Sequence, residues 1–365
     1  MRKYKYVHFL WQGGALFNKR IISLINDEEN GFDVETHLFV TPYKHIYDEI
    51  KQYPNVVFEE KIPPQSAQLI NTYAERGDWL FLHGMCSTTQ ALKIKLKNQK
   101  KIIWRTWGHD VGGYPYKKND FLKNAVKFLL NQLWKWEVKR FRMIGTANIV
   151  DDISLQRKFG KIKTTYINYP AKNNLQMFEE IQKDKPSHGN TVNVLIGHSG
   201  IDTDNHIEVI DRMKNLYGEN ICMVFVLSYG DAGYVQKVKA YIEENCPKDK
   251  VRMIEEPMPI EEYSRFLADM DVAIFDGMKS YALSNISILL YFGKKIFLNR
   301  QGVLAEAFAK EKVPFRYTDE IAKMSIQELS SETETTDLSE ASLFPTGYEE
   351  SVRRWKKVLS ALDRK

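Results

Sequence analysis

One stretch in the middle of the chain, residues 192–206, constrains the fold more than any other. An apolar, β-branched run ends in Gly197 and Ser199-Gly200, and apolar residues then recur at helical spacing. This order predicts a strand, a turn of small residues and the N-terminus of a helix. Backbone N–H groups in such a turn, together with the helix dipole, bind phosphate readily. Because a polar connector precedes it, the stretch predicts the first turn of a second, nucleotide-binding α/β domain.

The length and composition favour a cytoplasmic protein of two domains. The 365 residues exceed what one ordinary core accommodates. No segment approaches the roughly 18 uninterrupted apolar residues of a membrane span. The N-terminal MRKYKYVHFLW predicts a first strand rather than a signal peptide. The 3 cysteines are scattered and form no disulfide or metal framework, which is typical of a reducing compartment.

Apolar strand-like runs alternate with helical patterns along the chain, which predicts parallel sheets with crossover helices. We expect an N-terminal acceptor-side α/β domain over residues 1–170, a linker over 171–190 and a nucleotide-sugar-binding α/β domain over 191–329. Residues 330–365 predict an acidic loop and a helix that packs back on the body. Ligands of doubly wound sheets bind at the carboxyl ends of the strands, so we expect a site in the cleft between the domains.

Four loops at strand ends of the second domain are expected to line the donor site. An aromatic residue suits stacking on a base, a carboxylate suits the ribose or base, and a lysine neutralises a phosphate. Each residue taken singly has a structural alternative, because small polar residues at helix starts are usually caps. The candidate donor-binding residues are Ser199, Gly200, His206, Tyr229, Glu256, Lys279, Ser284 and Asn285.

The triplet Asp202-Thr203-Asp204 matches the D-x-D pattern of metal-dependent sugar transferases. We interpret it instead as charges that cap a helix start, because no other carboxylate-rich segment supplies further ligands. The sequence therefore predicts neither a metal ion nor a cofactor. Phosphate-loop, dinucleotide, nucleophilic-serine and zinc signatures are also missing from the sequence, which disfavours kinases, ordinary dehydrogenases and hydrolases.

In the first domain, the sequence WRTWGHDVGGY follows a predicted strand and carries the candidate catalytic residues. Asp110 can deprotonate an incoming hydroxyl or orient the sugar that bears it, and His109 is a second candidate base. The alternative for Asp110 is a loop-stabilising acceptor of backbone N–H groups. The residues expected to face the acceptor are Gly13, Gly14, His83, Gly84, Trp107 and Gly108.

Residues 117–142 hold eight Lys or Arg and two acidic residues, a larger local excess than the +5 of the whole chain. A basic stripe and an apolar stripe recur there at helical spacing, which is typical of a helix on an anionic membrane. The alternative is that the apolar stripe packs on the core. No nucleic-acid-binding module accompanies the patch. The basic stripe is Lys123, Lys127, Lys135, Lys139 and Arg142; the apolar stripe is Leu122, Val126, Leu129, Leu133 and Trp136.

Several short motifs occur in an order that identifies a family. They are His83-Gly84, Trp107-Gly108 with Asp110, Gly197-x-Ser199-Gly200 with His206, Glu256 with Tyr263, and residues 293–300. In these motifs the chain resembles the bacterial Fuc4NAc transferases, which are 4-alpha-L-fucosyltransferase-like enzymes of enterobacterial common antigen synthesis. The resemblance implies a metal-independent, two-lobed GT-B glycosyltransferase fold. It also implies a dTDP-sugar donor on the second lobe and a polyprenyl-diphosphate-linked acceptor at the first.

The chain departs from the family pattern where the donor sugar is read. These positions are residues 280–285, His109 and Asn205. The resulting expectation is a glycosyltransferase that binds a nucleotide sugar and a lipid-linked saccharide, peripherally on the cytoplasmic face of the bacterial plasma membrane. Two alternatives stay open. One is a sugar-nucleotide epimerase on the same fold; the other is a non-catalytic, membrane-tethered protein that binds nucleotide sugars.

Overall fold

The computed structural model describes residues 3–10, 15–62, 66–84, 91–107, 111, 121–169, 174–184, 189–279, 282–331, 341–344 and 347–364. The chain divides into two compact units. Unit 1 combines Met1–Lys172 with Gly347–Lys365, and unit 2 is Asn173–Thr346. In the ranges just given, none of the helices combines the length and hydropathy needed to cross a bilayer.

Unit 1 is built on a parallel sheet of seven strands in the order β3-β2-β1-β4-β5-β6-β7. Its strands are β1 Tyr4–Leu10, β2 His37–Thr41, β3 Val56–Phe58, β4 Gly77–His83, β5 Ile102–Arg105, β6 Met143–Thr146 and β7 Thr164–Tyr166. Its helices are α1 Ala15–Asn26, α2 Lys44–Ile50, α3 Ala67–Tyr73, α4 Leu96–Gln99, α5 Phe121–Val138, α6 Ile149–Phe159 and, from the far end of the chain, α14 Tyr348–Asp363.

Unit 2 repeats the architecture with a parallel sheet of six strands in the order β10-β9-β8-β11-β12-β13. Its strands are β8 Val192–Ile196, β9 Ile221–Val226, β10 Val251–Ile254, β11 Val272–Phe275, β12 Lys295–Leu298 and β13 Arg316–Tyr317. Its helices are α7 Asn174–Lys183, α8 His206–Met213, α9 Ala232–Asn245, α10 Ile260–Ala268, α11 Leu283–Tyr291, α12 Val303–Glu311 and α13 Ile326–Ser330.

Side chains alternate between the two faces of the unit 1 sheet along each strand. Each face packs against its own hydrophobic core. In β1, Val7 and Phe9 face one core and Tyr6 and Leu10 face the other. The second core is closed by α14. Its Trp355 is fully buried, and the indole Nε1–H donates to the carbonyl oxygen of Asn168 at 2.9 Å.

The structure differs from the sequence expectation at three elements. The segment expected to be a linker holds α7, whose apolar face is buried through Phe178 and Ile181. The ring centroid of Phe178 lies 5.2 Å from that of Tyr291 in unit 2. β6 and β13 were not predicted, because β6 is four residues long and ends in Gly145-Thr146, and β13 has only two residues.

We expect Trp355→Ala to lower the free energy of unfolding of unit 1 by about 3–5 kcal/mol, because it opens a cavity and leaves the Asn168 carbonyl without the indole donor. Lys357→Ala, at an exposed position of the same helix, is the control and should change it by less than about 0.5 kcal/mol. Urea denaturation followed by far-UV circular dichroism measures both. Equal unfolding curves for the two variants would contradict the role given to Trp355.

Candidate functional site

The loops that follow β8, β9, β11 and β12 are joined through glycines at the carboxyl edge of the unit 2 sheet. The N–H of Gly200 donates to the carbonyl oxygen of Tyr229 at 2.7 Å, and the N–H of Asp231 donates to that of Gly200 at 2.9 Å. A Cβ on Gly277 would lie 2.9 Å from the carbonyl oxygen of Thr203. A Cβ on Gly302 would lie equally close to that of Gly277, at 2.9 Å. Only glycine permits backbones to approach this closely.

The carboxylate of Asp204 organises the first of these loops. It is buried, and its Oδ2 accepts the N–H groups of His198 and Ser199, both at 3.0 Å, and the Ser199 hydroxyl at 3.1 Å. The Nδ1 of His198 lies 2.9 Å from the same oxygen. Burial by itself raises the pKa of Asp204, but the hydrogen bonds and charge of His198 outweigh it and hold the pKa below its usual value. The carboxylate is therefore ionised at neutral pH.

This geometry corrects the expectation that the turn amides bind a phosphate. The N–H of Gly197 donates to the carbonyl oxygen of Ile274 at 3.0 Å, and the next three amides donate to Asp204 or Tyr229 as described. All four donors of the turn thus have partners within the chain. The internal carboxylate takes the place expected for an anionic ligand, so Ser199 and Gly200 shape the loop.

Asp204 was expected to cap the helix start, and the structure places it on the preceding turn instead. Asp202–Asp204 forms a short 3-10 helix before α8. In the described ranges, no group of three or more His, Cys, Asp or Glu side chains could hold a metal ion.

His206 lies beneath the first loop. It is fully buried, and its Nδ1 is 3.3 Å from the hydroxyl oxygen of Tyr234. Burial lowers its pKa to about 4, so the imidazole is neutral. Gly197 adopts φ +68°, and a Cβ there would lie 2.5 Å from His206 Nε2. His206 was expected to bind the donor, whereas this placement makes it a support of the loop.

The start of α11 leaves backbone donors at the same edge. The helix begins at Leu283, and its N-cap residue Ala282 makes no side-chain hydrogen bond to it. Its first N–H groups have no partners within the helix itself. Ala282 adopts the left-handed conformation with φ 61°, which costs a non-glycine residue about 1–2 kcal/mol. Such strain is typical of sites that bind ligands. Ser284 is exposed, whereas Asn285 is buried and donates to the hydroxyl of Tyr263 at 2.8 Å.

Three further donor candidates have side chains at the surface of unit 2. Tyr229 follows β9 and is 56% exposed. Glu256 follows β10 and is exposed, while the neighbouring Glu255 pairs with Lys239. Lys279 follows β11 and is exposed, close in sequence to the start of α11. An aromatic ring, a carboxylate and an ammonium group are therefore accessible at this edge.

A second buried carboxylate, which was not predicted from the sequence, anchors the loop after β11. Asp276 forms an ion pair with Arg212 at 2.9 Å and accepts the side-chain amide of Asn299 at 3.1 Å and the hydroxyl of Thr318. The amide of Asn205 donates to its carbonyl oxygen at 2.8 Å. The Asp-Gly pair directly after a buried strand is the sequence signal that could have identified this carboxylate.

In unit 1, the described acceptor candidates lie at the carboxyl edge of the sheet. His83 ends β4 and is buried, and Gly84 follows with φ +95°. The ring of Trp107 stacks on that of Tyr169, with centroids 5.5 Å apart. The remaining candidates, Gly13, Gly14, Gly108, His109 and Asp110, lie outside the described residues.

Helix α5 presents its apolar stripe to the surface. Trp134 and Val138 are buried and pack the helix against the core. Glu137 is buried beside them, which raises its pKa to about 7. This arrangement excludes the alternative in which the apolar stripe packs on the core. Arg142 lies over the ring of Trp79 at 5.4 Å. The exposed fractions of the stripe are 79% for Leu122, 57% for Val126, 62% for Leu129, 45% for Leu133 and 48% for Trp136.

Comparisons with known proteins agree with this architecture. The model of a protein family described as 4-alpha-L-fucosyltransferase, glycosyl transferase group 56, matches residues 7–364. A glycosyltransferase from Rickettsia africae ESF-5 is 12% identical and covers 100% of both chains with a TM-score of 0.62. Anabaena HepE in complex with UDP-glucose is 12% identical, covers 98% of this chain and 99% of its own, and has a TM-score of 0.59. At these identities the solved structures show the fold, which is GT-B.

We expect Gly197→Ala to destabilise unit 2 more than Gly293→Ala. Both glycines adopt φ +68°, but a Cβ at Gly293 has no atom within 4 Å, whereas one at Gly197 meets His206. The shared left-handed conformation costs each variant about 1 kcal/mol, and the contact with His206 adds about 1–3 kcal/mol. Urea unfolding measures the difference, and equal losses would show that the imidazole does not support the loop.

Proposed function

Because the chain belongs to the 4-alpha-L-fucosyltransferase family of glycosyltransferases, we propose that it transfers an acetamido-dideoxy sugar from dTDP to a saccharide on polyprenyl diphosphate. The reaction would serve bacterial surface polysaccharide synthesis. The family match over residues 7–364 carries this proposal. The proposal specifies the donor sugar, the nucleotide base and the acceptor.

The surface of unit 2 supports a nucleoside diphosphate sugar as the donor. We place the diphosphate at the start of α11, where the first N–H groups and the helix dipole favour an anion. Lys279 is exposed close by in sequence and supplies a positive charge. Tyr229 stacks on the base, and Glu256 accepts hydrogen bonds from the ribose or base. The solved complex of Anabaena HepE contains UDP-glucose, a ligand of this class.

In the proposed reaction the acceptor hydroxyl attacks the anomeric carbon of the donor. A new C–O bond forms as the bond to the diphosphate breaks, and the leaving oxygen keeps the electron pair. Asp110 takes the hydroxyl proton or orients the sugar, with His109 as the second candidate base. Lys279 and the α11 amides stabilise the charge of the leaving diphosphate. We propose no metal ion for this step.

The exposed stripe of α5 supports a peripheral position on the cytoplasmic face of the plasma membrane. Its five apolar side chains are exposed together on one helix, and such a surface usually binds a partner or a membrane. Lys123 and Lys139 are exposed on the same segment, and each lysine near an anionic surface contributes about 1 kcal/mol. The lipid-linked acceptor lies in that same membrane. An anionic bilayer therefore matches both the apolarity and the charge of the helix.

We expect Asp110→Asn to lower kcat by about 100-fold or more while the donor dissociation constant stays unchanged. Lys279→Ala should show the opposite pattern and weaken donor binding by about tenfold, which corresponds to one charged contact. Calorimetry with dTDP-, UDP- and GDP-sugars in EDTA and a nucleotide-release assay measure the two quantities. Failure of the wild-type protein to bind any of these sugars would overturn the proposed function.

We expect the double variant Leu122→Asn, Leu129→Asn to lose at least tenfold in binding to vesicles that contain anionic lipid, because two apolar side chains no longer enter the interface. Leu96→Asn is the control, since Leu96 is 53% exposed but lies on α4. Co-sedimentation with anionic and with zwitterionic vesicles measures the binding. Wild-type sedimentation by the double variant would exclude α5 as the membrane surface.

A further inference from the structure

Three buried histidines of unit 1 form a hydrogen-bonded chain that ends at Tyr169. His37 lies on β2, His8 on β1 and His83 on β4, which are neighbouring strands. His37 Nδ1 is 3.0 Å from His8 Nε2, and His8 Nδ1 is 3.0 Å from His83 Nε2. His83 Nδ1 is 2.5 Å from the hydroxyl oxygen of Tyr169. None of the three imidazoles is more than 1% exposed.

Aromatic rings pack against the chain of histidines. The His8 ring stacks between Phe39 and Phe81, with centroids 4.4 and 4.7 Å away. Trp355 of α14 lies against His8 and His83, with centroids 6.3 and 6.4 Å away. Its indole also holds the carbonyl oxygen of Asn168, directly before Tyr169. The donor and acceptor atoms therefore have little freedom to change partners.

All three imidazoles are neutral at physiological pH. Burial lowers the pKa of His37 to about 3, with Lys5 contributing, and lowers that of His83 to about 3, with Arg105 contributing. Burial and the two neighbouring histidines lower the pKa of His8 well below its usual value. A neutral imidazole has one N–H donor and one acceptor nitrogen. Every contact along the chain must therefore point in the same direction.

Two arrangements satisfy this rule. If all three histidines carry the proton on Nε2, Tyr169 donates to His83. If all three carry it on Nδ1, His83 donates to Tyr169. The guanidinium carbon of Arg105 lies 5.0 Å from the centroid of the Tyr169 ring. This positive charge makes the phenol O–H more acidic and therefore a stronger donor, which favours the direction in which Tyr169 donates.

We propose that the chain runs inward from Tyr169 through three Nε2–H imidazoles and makes the phenol oxygen an acceptor that positions the attacking hydroxyl of the acceptor sugar. The second part rests on the proposed function. Tyr169 lies at the carboxyl edge of the sheet, where its ring stacks on that of Trp107. Donation into the chain raises the basicity of the oxygen, because consecutive hydrogen bonds polarise one another. His8 and His37 are positioning residues that act through this oxygen.

Long-range proton–nitrogen correlation spectra of the full chain, labelled with 15N-histidine, test the direction. We expect the Nε2–H pattern for His8, His37 and His83 at pH 7, assigned through the variants His8→Phe and His37→Phe. In Tyr169→Phe, which retains the ring, the pattern of His37 should change although it lies three groups away. An imidazolium or Nδ1–H pattern at any of the three histidines would overturn the chain direction.

Kinetics test the role of the phenol oxygen. We expect Tyr169→Phe to lower kcat/KM for the acceptor about tenfold with an unchanged donor dissociation constant, and His8→Phe to act in the same direction. His45→Phe, at an exposed histidine of α2, is the control and should leave both unchanged. Wild-type acceptor kinetics in Tyr169→Phe would refute the positioning role. If the wild-type protein transfers no sugar, the proposed function is wrong. The spectra still determine the direction of the hydrogen-bonded chain in that case.

Discussion

Parallel strand pairing is the constraint on which both units depend. Every pairing between named strands in the described parts of the chain is parallel. Parallel strands require crossover helices, so all strands of a sheet end at the same edge and the loops that follow them meet there. In unit 2 this brings together loops separated by up to about a hundred residues. Their glycines then allow direct backbone contact, as at Gly200 and Gly230.

The sequence predicted the fold well where burial leaves a local pattern. Strands covered on both faces are continuous apolar runs, so the run that precedes Gly197 predicted β8. The helix α5 was also evident, but amphipathicity only distinguishes two faces and does not reveal which one meets the core. In the structure Trp134 and Val138 are buried, whereas the more extensive apolar stripe is exposed.

The candidate site was predicted less completely because its contacts depend on long-range geometry. Asp204 was expected to cap the helix start, and only its contact with the amides of His198 and Ser199 shows that those donors are occupied. His83 reads as a single histidine at a strand end. Its partner His8 is 75 residues away, and only the order and register of the strands align the two rings.

Unit 1 is discontinuous along the chain, and this has a consequence for its biogenesis. The hydroxyl of Tyr6 donates to Asp363, 357 residues later, at 2.8 Å. A ribosome therefore finishes all of unit 2 before it releases the helix that carries Trp355. Until then the nascent first unit exposes an aromatic face and three imidazoles to water, and the slow, non-local closure of unit 1 follows the synthesis of unit 2. Quality control during translation would act on that open intermediate.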